Sequence, residues 1–291
     1  MSRPGRFVFV AASLLCVLLL WTNAAASPAD EAAELNNRAV VCVQEHNYEE
    51  AVALLKKAIA LQPALPTTYY NLGRIYQFIE EWDLSIEAFK QTLALKPAFA
   101  DAMHQLAVSY NNTQRYAEAV ECLKQVLQLQ PDRPESLTEL GFAYSKQGHT
   151  QEATEFLKEA IRIQPDFGDA YNNLGVVYFK TGQVANAIES LQHAVRLIPG
   201  SPVAHYNLGY SLSQAHRQRE AIESYKQALL LKPDFAEAHN NLAILYLKRG
   251  QRSLALEQYH LLQSINSDMA QKLFEIIFQD KILKVPDQSR E

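Results

Sequence analysis

The chain has 291 residues, enough for one repeat array or for one or two globular domains. Hydrophobic residues make up 48% and charged residues 20%, which excludes a disordered chain. The net charge of −5 supplies no basic footprint, so nucleic acid is excluded from the expected partners.

In chain order, the first segment stands apart. Arg3 and Arg6 precede an uncharged apolar run from Phe7 to Leu20, and small residues follow at Ala24 and Ala26. A positive start, an apolar centre and an A-x-A site are the layout of an export signal. The run falls short of the roughly 20 apolar residues that a membrane span needs. The expectation for residues 1–26 is a cleaved signal peptide, with an uncleaved N-terminal membrane anchor as the alternative. Either would place the rest of the chain outside the cytoplasm, periplasmic or secreted. Loss of Arg3 and Arg6 would take the charge from −5 to −7. Cys16 lies inside the apolar run behind Leu14 and Leu15, which speaks against lipoprotein processing. Cys42 and Cys122 are 80 residues apart. They fall more than two repeat units from each other, too far for a bridge, so two free thiols are expected.

Ser27, Pro28 and Asp30 then read as an N-cap, a first-position proline and an early acidic residue, the opening of a helix. From here one step of 34 residues governs the chain. Prolines keep it at Pro63, Pro97, Pro131, Pro165, Pro199 and Pro233. Leu72, Leu106, Leu140, Leu174, Leu208 and Leu242 form a second ladder, each followed by Gly or Ala. Tyr76, Tyr110, Tyr144, Tyr178 and Tyr246 form a third, with Leu212 in the gap. A small-residue ladder runs from Ala51 through Ser85, Ala119, Ala153, Ala187 and Ala221 to Ala255. A bulky one runs from Leu55 through Phe89, Leu123, Leu157, Leu191 and Tyr225 to Tyr259.

Residues 168–201 show what one unit is. Tyr171, Leu174 and Tyr178 share one helix face, and Gly182 ends that helix. Ala187, Ile188, Leu191, Ala194 and Val195 repeat the spacing in a second helix, which Pro199 stops. Gly175 and Ala187 remove bulk where the two helices cross. One such hairpin cannot cover both of its apolar faces, so neighbours must stack.

The 34-residue step with Leu-Gly, Tyr, Ala, a bulky residue and Pro resembles the tetratricopeptide repeat (TPR). The match covers seven units: 32–65, 66–99, 100–133, 134–167, 168–201, 202–235 and 236–269. The resemblance implies an all-α fold, a right-handed α-solenoid of seven stacked helix-turn-helix units. It also implies a protein-binding scaffold rather than an enzyme.

The array is expected to occupy residues 27–269. In its first unit Arg38 and Cys42 replace the ladder Leu and Tyr, tolerable on a face that no earlier unit covers. Ser267 stands where the proline would recur. Leu273, Phe274, Ile276 and Ile277 then give an apolar face to a capping helix over 270–285, and residues 286–291 are expected to fray.

No motif for a catalytic site, a phosphate loop, a cofactor or a metal occurs, and none of these is expected. His205 and His239 fall at the Tyr69 and Tyr171 position and read as packing between hairpins. Asn111-Asn112-Thr113 fits a glycosylation acceptor but reads better as a polar turn.

One pattern goes beyond the fold. Asn37, Asn71, Gln105, Glu139, Asn173, Asn207 and Asn241 each stand immediately before the Leu ladder, at the edge of the packed stripe. An amide there can pair with the backbone of any extended segment. The alternative is that these amides bond neighbouring helices or water. The pattern is similar to the asparagine ladder of O-GlcNAc transferase repeats, as in Ala170-Tyr171-Asn172-Asn173-Leu174-Gly175, without that enzyme's catalytic domain. Arg74, Phe142, Val176, Tyr210 and Ile244, then Phe78, Asn112, Lys146, Lys180 and Lys248, should face the same groove.

Aromatic and basic residues together suit an extended acidic segment, although lysines near helix C-termini also balance the helix dipole. The lysine-and-asparagine clamp of chaperone-binding members of the family does not appear, since Asn36, Tyr70, His104 and Thr138 hold its basic positions. The candidate partner-binding residues are therefore Asn71, Asn173, Asn207, Asn241, Arg74, Phe142, Tyr210, Lys146 and Lys180. The partner is a protein or peptide segment held in a concave groove. Alternatives are a membrane-tethered assembly factor of an envelope machine, or a substrate-presenting accessory of a separate glycosyltransferase.

Overall fold

The computed structural model describes residues 27–282, so the export-signal reading of residues 1–26 and the fraying of 286–291 lie outside the described residues. The chain divides into two compact units, the first ending at Leu129 and the second beginning at Gln130. The described part of the first holds three helical hairpins: α1 Pro28–Gln44 with α2 Tyr48–Leu61, α3 Pro66–Phe78 with α4 Trp82–Leu95, and α5 Ala100–Asn112 with α6 Tyr116–Leu129. The second holds four: α7 Pro134–Gln147 with α8 Thr150–Ile163, α9 Gly168–Lys180 with α10 Val184–Leu197, α11 Pro202–Gln214 with α12 Gln218–Leu231, and α13 Ala236–Lys248 with α14 Arg252–Ile265. A final helix, α15, runs Ser267–Ile282. Among the described residues there is no strand, and no helix is long and apolar enough to cross a membrane.

The first helix is capped as its sequence implies. The Ser27 hydroxyl accepts the Asp30 N–H at 3.1 Å, and the Asp30 carboxylate accepts the Ser27 N–H at 3.2 Å. Every hairpin turn uses one device. A residue with positive φ recurs at the 34-residue step: His46, Glu80, Gln114, Gly148, Gly182, His216 and Gly250, with φ between 59° and 87°. The N–H just after it reaches back to the carbonyl four residues before the positive-φ residue, as Gln183 does to Tyr178 at 2.8 Å. Gly182 makes this left-handed turn without steric cost, whereas four hairpins adopt it with side chains that resist it.

The ladders form the core. The small and bulky ladders meet inside each hairpin, and Ala51, Leu55, Phe89, Leu123, Leu157, Ala187 and Leu191 are 0% exposed. In the first unit the helices α1 to α4 share a cluster that includes Leu55, Leu72, Ile75 and Tyr76. In the second, a cluster from Ile188 to Ile277 joins the last three hairpins to α15. The bulky ladder ends at Tyr259, which is only half-buried and lies 5.8 Å from the Phe274 ring.

The capping helix departs from expectation in two ways. It begins at Ser267 rather than 270, because Asn266 caps it by accepting the Met269 N–H at 3.0 Å. Leu273, Ile277 and Ala270 form its buried face, but Ile276 is 49% exposed and does not belong to it. The reason is spacing: Ala270, Leu273 and Ile277 keep the 3 and 4 step, and Ile276 falls one residue off that stripe.

Cys42 and Cys122 are free thiols. Burial pushes both up, Cys122 to about 11, which disfavours the thiolate form. Asn111 is buried and Asn112 is the last residue of α5, so this segment closes a helix rather than forming the inter-helix turn itself.

Candidate partner-binding pockets

In each hairpin the residue before the ladder Leu lies on the leading helix, at the edge of the stripe buried against the trailing helix. What that edge offers depends on the neighbouring hairpin. In the second unit three leading helices, α7, α9 and α11, surround a pocket of about 250 Å³. Helix α7 supplies Phe142, Ser145 and Lys146. Helix α9 supplies Asn172, Asn173, Val176 and Lys180, and α11 supplies Val203 and Asn207.

The two lysines dominate its electrostatics. Lys180 Nζ donates to the Ser145 carbonyl and hydroxyl oxygens, both at 3.1 Å. It thereby caps the C-terminal turn of the preceding leading helix, where positive charge is favourable. Burial, and then the charge of Lys146, holds the Lys180 amine below the ordinary lysine range. Lys146 Nζ lies 5.1 Å from the centre of the Phe142 ring, one turn away on the same helix. Among the described residues no carboxylate lines the pocket.

The amides do not all stand free. Asn207 Nδ2 donates to Asn172 Oδ1 at 2.9 Å, one hairpin back. Asn241 Nδ2 donates to the Tyr206 hydroxyl at 3.1 Å. Burial pushes Tyr206 and Tyr225 up, so both stay neutral at physiological pH. Asn173 has only a long contact of 3.5 Å, from the Asn172 amide. The two alternatives read from the sequence therefore divide the ladder between them: Asn207 and Asn241 brace adjacent hairpins, and Asn173 faces the pocket unbraced.

The first unit carries a smaller pocket of about 120 Å³. Ala39, Val40 and Val43 of α1 face Asn71, Arg74, Ile75 and Phe78 of α3 across it. The Arg74 guanidinium lies 5.8 Å from the Phe78 ring centre, and its buried Nε has no hydrogen-bond partner. Asn71 Nδ2 reaches Asn36 Oδ1 at 3.5 Å, while Asn36 donates to Thr68 Oγ1 at 2.8 Å.

Of the residues singled out from the sequence, Phe142, Lys146, Lys180, Asn173 and Asn207 thus share the second-unit pocket. Asn71 and Arg74 share the first-unit pocket. Tyr210 and Asn241 line neither, and are tied through Tyr206, whose ring is 6.3 Å from that of Tyr210. Sequence reasoning missed Ser145, Asn172, Val203 and Tyr206. The signal was available for two of them: Asn172 and Tyr206 occupy the position one before the amide ladder, which holds Asn at 36, 172 and 240.

His239 is buried and contacts both its own hairpin and the end of the preceding unit. Its ring nitrogens contact Gln258 Oε1 at 2.7 Å and the Pro233 carbonyl at 2.8 Å. Among the described residues no group of three or more His, Cys, Asp or Glu side chains could hold a metal ion.

Family models described as tetratricopeptide repeat match residues 68–101, 99–166 and 144–208, and one described as TPR repeat matches 41–77 and 217–250. Among curated proteins no sequence match was found. Solved structures do resemble the chain. The APC/C hetero-tetramer Cut9-Hcn1 aligns at a TM-score of 0.69 and 19% identity, covering 84% of this chain and 55% of that one. A thermophilic TPR protein of Thermus thermophilus aligns at 0.57 and 22%, covering 63% and 100%. Pseudomonas aeruginosa pilF aligns at 0.58 and 17%, covering 71% and 94%. At these identities the likeness speaks for the fold alone.

Proposed function

Because the chain belongs to the tetratricopeptide-repeat family, whose stacked hairpins serve as protein-interaction scaffolds, we propose that it is a non-catalytic adaptor holding an extended segment of another protein. The observation that carries this reading is the second-unit pocket, to which three successive leading helices each contribute side chains. An extended segment crossing those helices would meet a cation, an amide and an apolar wall in turn. The rigid helices would hold those groups in place before binding, which limits the entropy lost on association. The signal-like sequence of residues 1–26 supports a location outside the cytoplasm for this work.

Selection of a displayed library of random 12-residue peptides on the immobilised full chain tests the reading. Enrichment of linear peptides that bind the soluble protein reversibly is expected. A folded chain that enriches none would contradict it.

A further inference from the structure

Lysines and arginines on the trailing helices of this protein commonly find a glutamate three residues away. Lys90 pairs with Glu87, Lys124 with Glu121, Arg162 with Glu159 and Lys226 with Glu223. The lysines of the second-unit pocket do not. Three and four residues before Lys146 stand Ala143 and Phe142, and before Lys180 stand Val177 and Val176. Among the described residues neither lysine pairs with a carboxylate, although the chain carries 32 acidic residues against 27 Lys and Arg.

Two cations set close together in a partly desolvated pocket are unfavourable unless an anion joins them. Dipole compensation explains part of the arrangement, since each lysine lies near a helix C-terminus. It does not explain why the walls lack a carboxylate, nor why Val203, 49% exposed, stands opposite as an apolar surface.

We infer that this pocket reads an acidic side chain within an extended peptide, the carboxylate seated between Lys146 and Lys180 and an adjoining apolar residue packed on Phe142 and Val203. This rests on the adaptor reading above and names the chemistry of its partner. Lys146 is steadied for the task by the Phe142 ring, and Lys180 by Ser145. Asn207 spends its Nδ2 on Asn172, and its side-chain Oδ1 can accept a backbone N–H of the segment.

The test uses the same peptide library on the full chain and on Lys146→Met/Lys180→Met, which keeps the aliphatic stems. The native chain should enrich peptides containing Asp or Glu. The double variant should bind the best of them at least about tenfold more weakly, the scale of losing charge-assisted hydrogen bonds. Changing the peptide's acidic residue to its amide should weaken native binding by a similar factor. Lys180→Arg should restore most of the affinity. If the double variant fails to fold, Val203→Glu on the exposed wall replaces it, and must weaken acidic peptides by repulsion. Enriched peptides without acidic residues, or affinities unmoved by these changes, would overturn the inference and leave the adaptor standing. Failure to enrich any peptide would remove both.

Discussion

Replacing Gly175 with leucine is expected to lower the free energy of unfolding by about 3 kcal/mol or more, at the upper end of the usual cost of overpacking. A Cβ at this position would lie 2.6 Å from Leu191 Cγ and 3.2 Å from the Ala187 carbonyl oxygen. The first neighbour is a fully buried side chain and the second is backbone. Neither can yield without moving helix α10 away from α9. Gly141 faces Leu157 and Ala153 in the same way, so the constraint belongs to the hairpin rather than to one site. A Cβ on Gly200 would meet nothing within 4 Å, and Gly200→Ala is the control, expected to stay within about 0.5 kcal/mol. Denaturant unfolding gives the magnitudes. Hydrogen exchange gives the distribution: protection should fall most in α9 and α10 and in the adjoining hairpins of the second unit, because a repeat array loses stability locally. A uniform fall across the chain would contradict the modular account.

Asn241→Ala is expected to cost about 0.5–1.5 kcal/mol of stability, the net worth of the hydrogen bond it makes to the preceding hairpin. The amide donates to the Tyr206 hydroxyl at 3.1 Å, and Tyr206 is partly buried. Alanine is the better helix former, which offsets a few tenths of this. Asn173→Ala should behave differently. Its side chain has only the 3.5 Å contact, so its melting temperature should barely move while peptide affinity falls. Thermal melts and titrations on the two variants check the contrast. Equal stability losses would show that the amide ladder is bracing throughout.

These two positions show what the sequence discloses. The crossing at Gly175 was legible because the step of 34 residues aligns small residues with bulky ones, and packing of that kind repeats with the sequence. The seven hairpins and their core ladders follow from the same periodicity. The bracing by Asn241 was not legible. It spans 35 residues, one more than the repeat, and its partner is Tyr206 here but Asn172 for the equivalent Asn207. A pairing whose chemistry changes from one hairpin to the next leaves no ladder to read. The left-handed turn residue was seen only at Gly182, because His46, Glu80, Gln114 and His216 hold the same conformation without a glycine to mark it. Within the second-unit pocket the lysines and Phe142 were recognisable from spacing. That Lys180 would be drawn to Ser145 of the preceding helix was not, since it depends on how two hairpins stack.

The central claim is that the leading helices hold the partner segment. Titrating the isotope-labelled full chain with a selected peptide, and following backbone amide chemical shifts, tests it most directly. The account predicts the largest shifts at Lys146, Asn173, Val176, Lys180, Val203 and Asn207, on three successive leading helices. Shifts concentrated on the trailing helices instead, around Glu189, Gln192 and Arg217 for example, would contradict it.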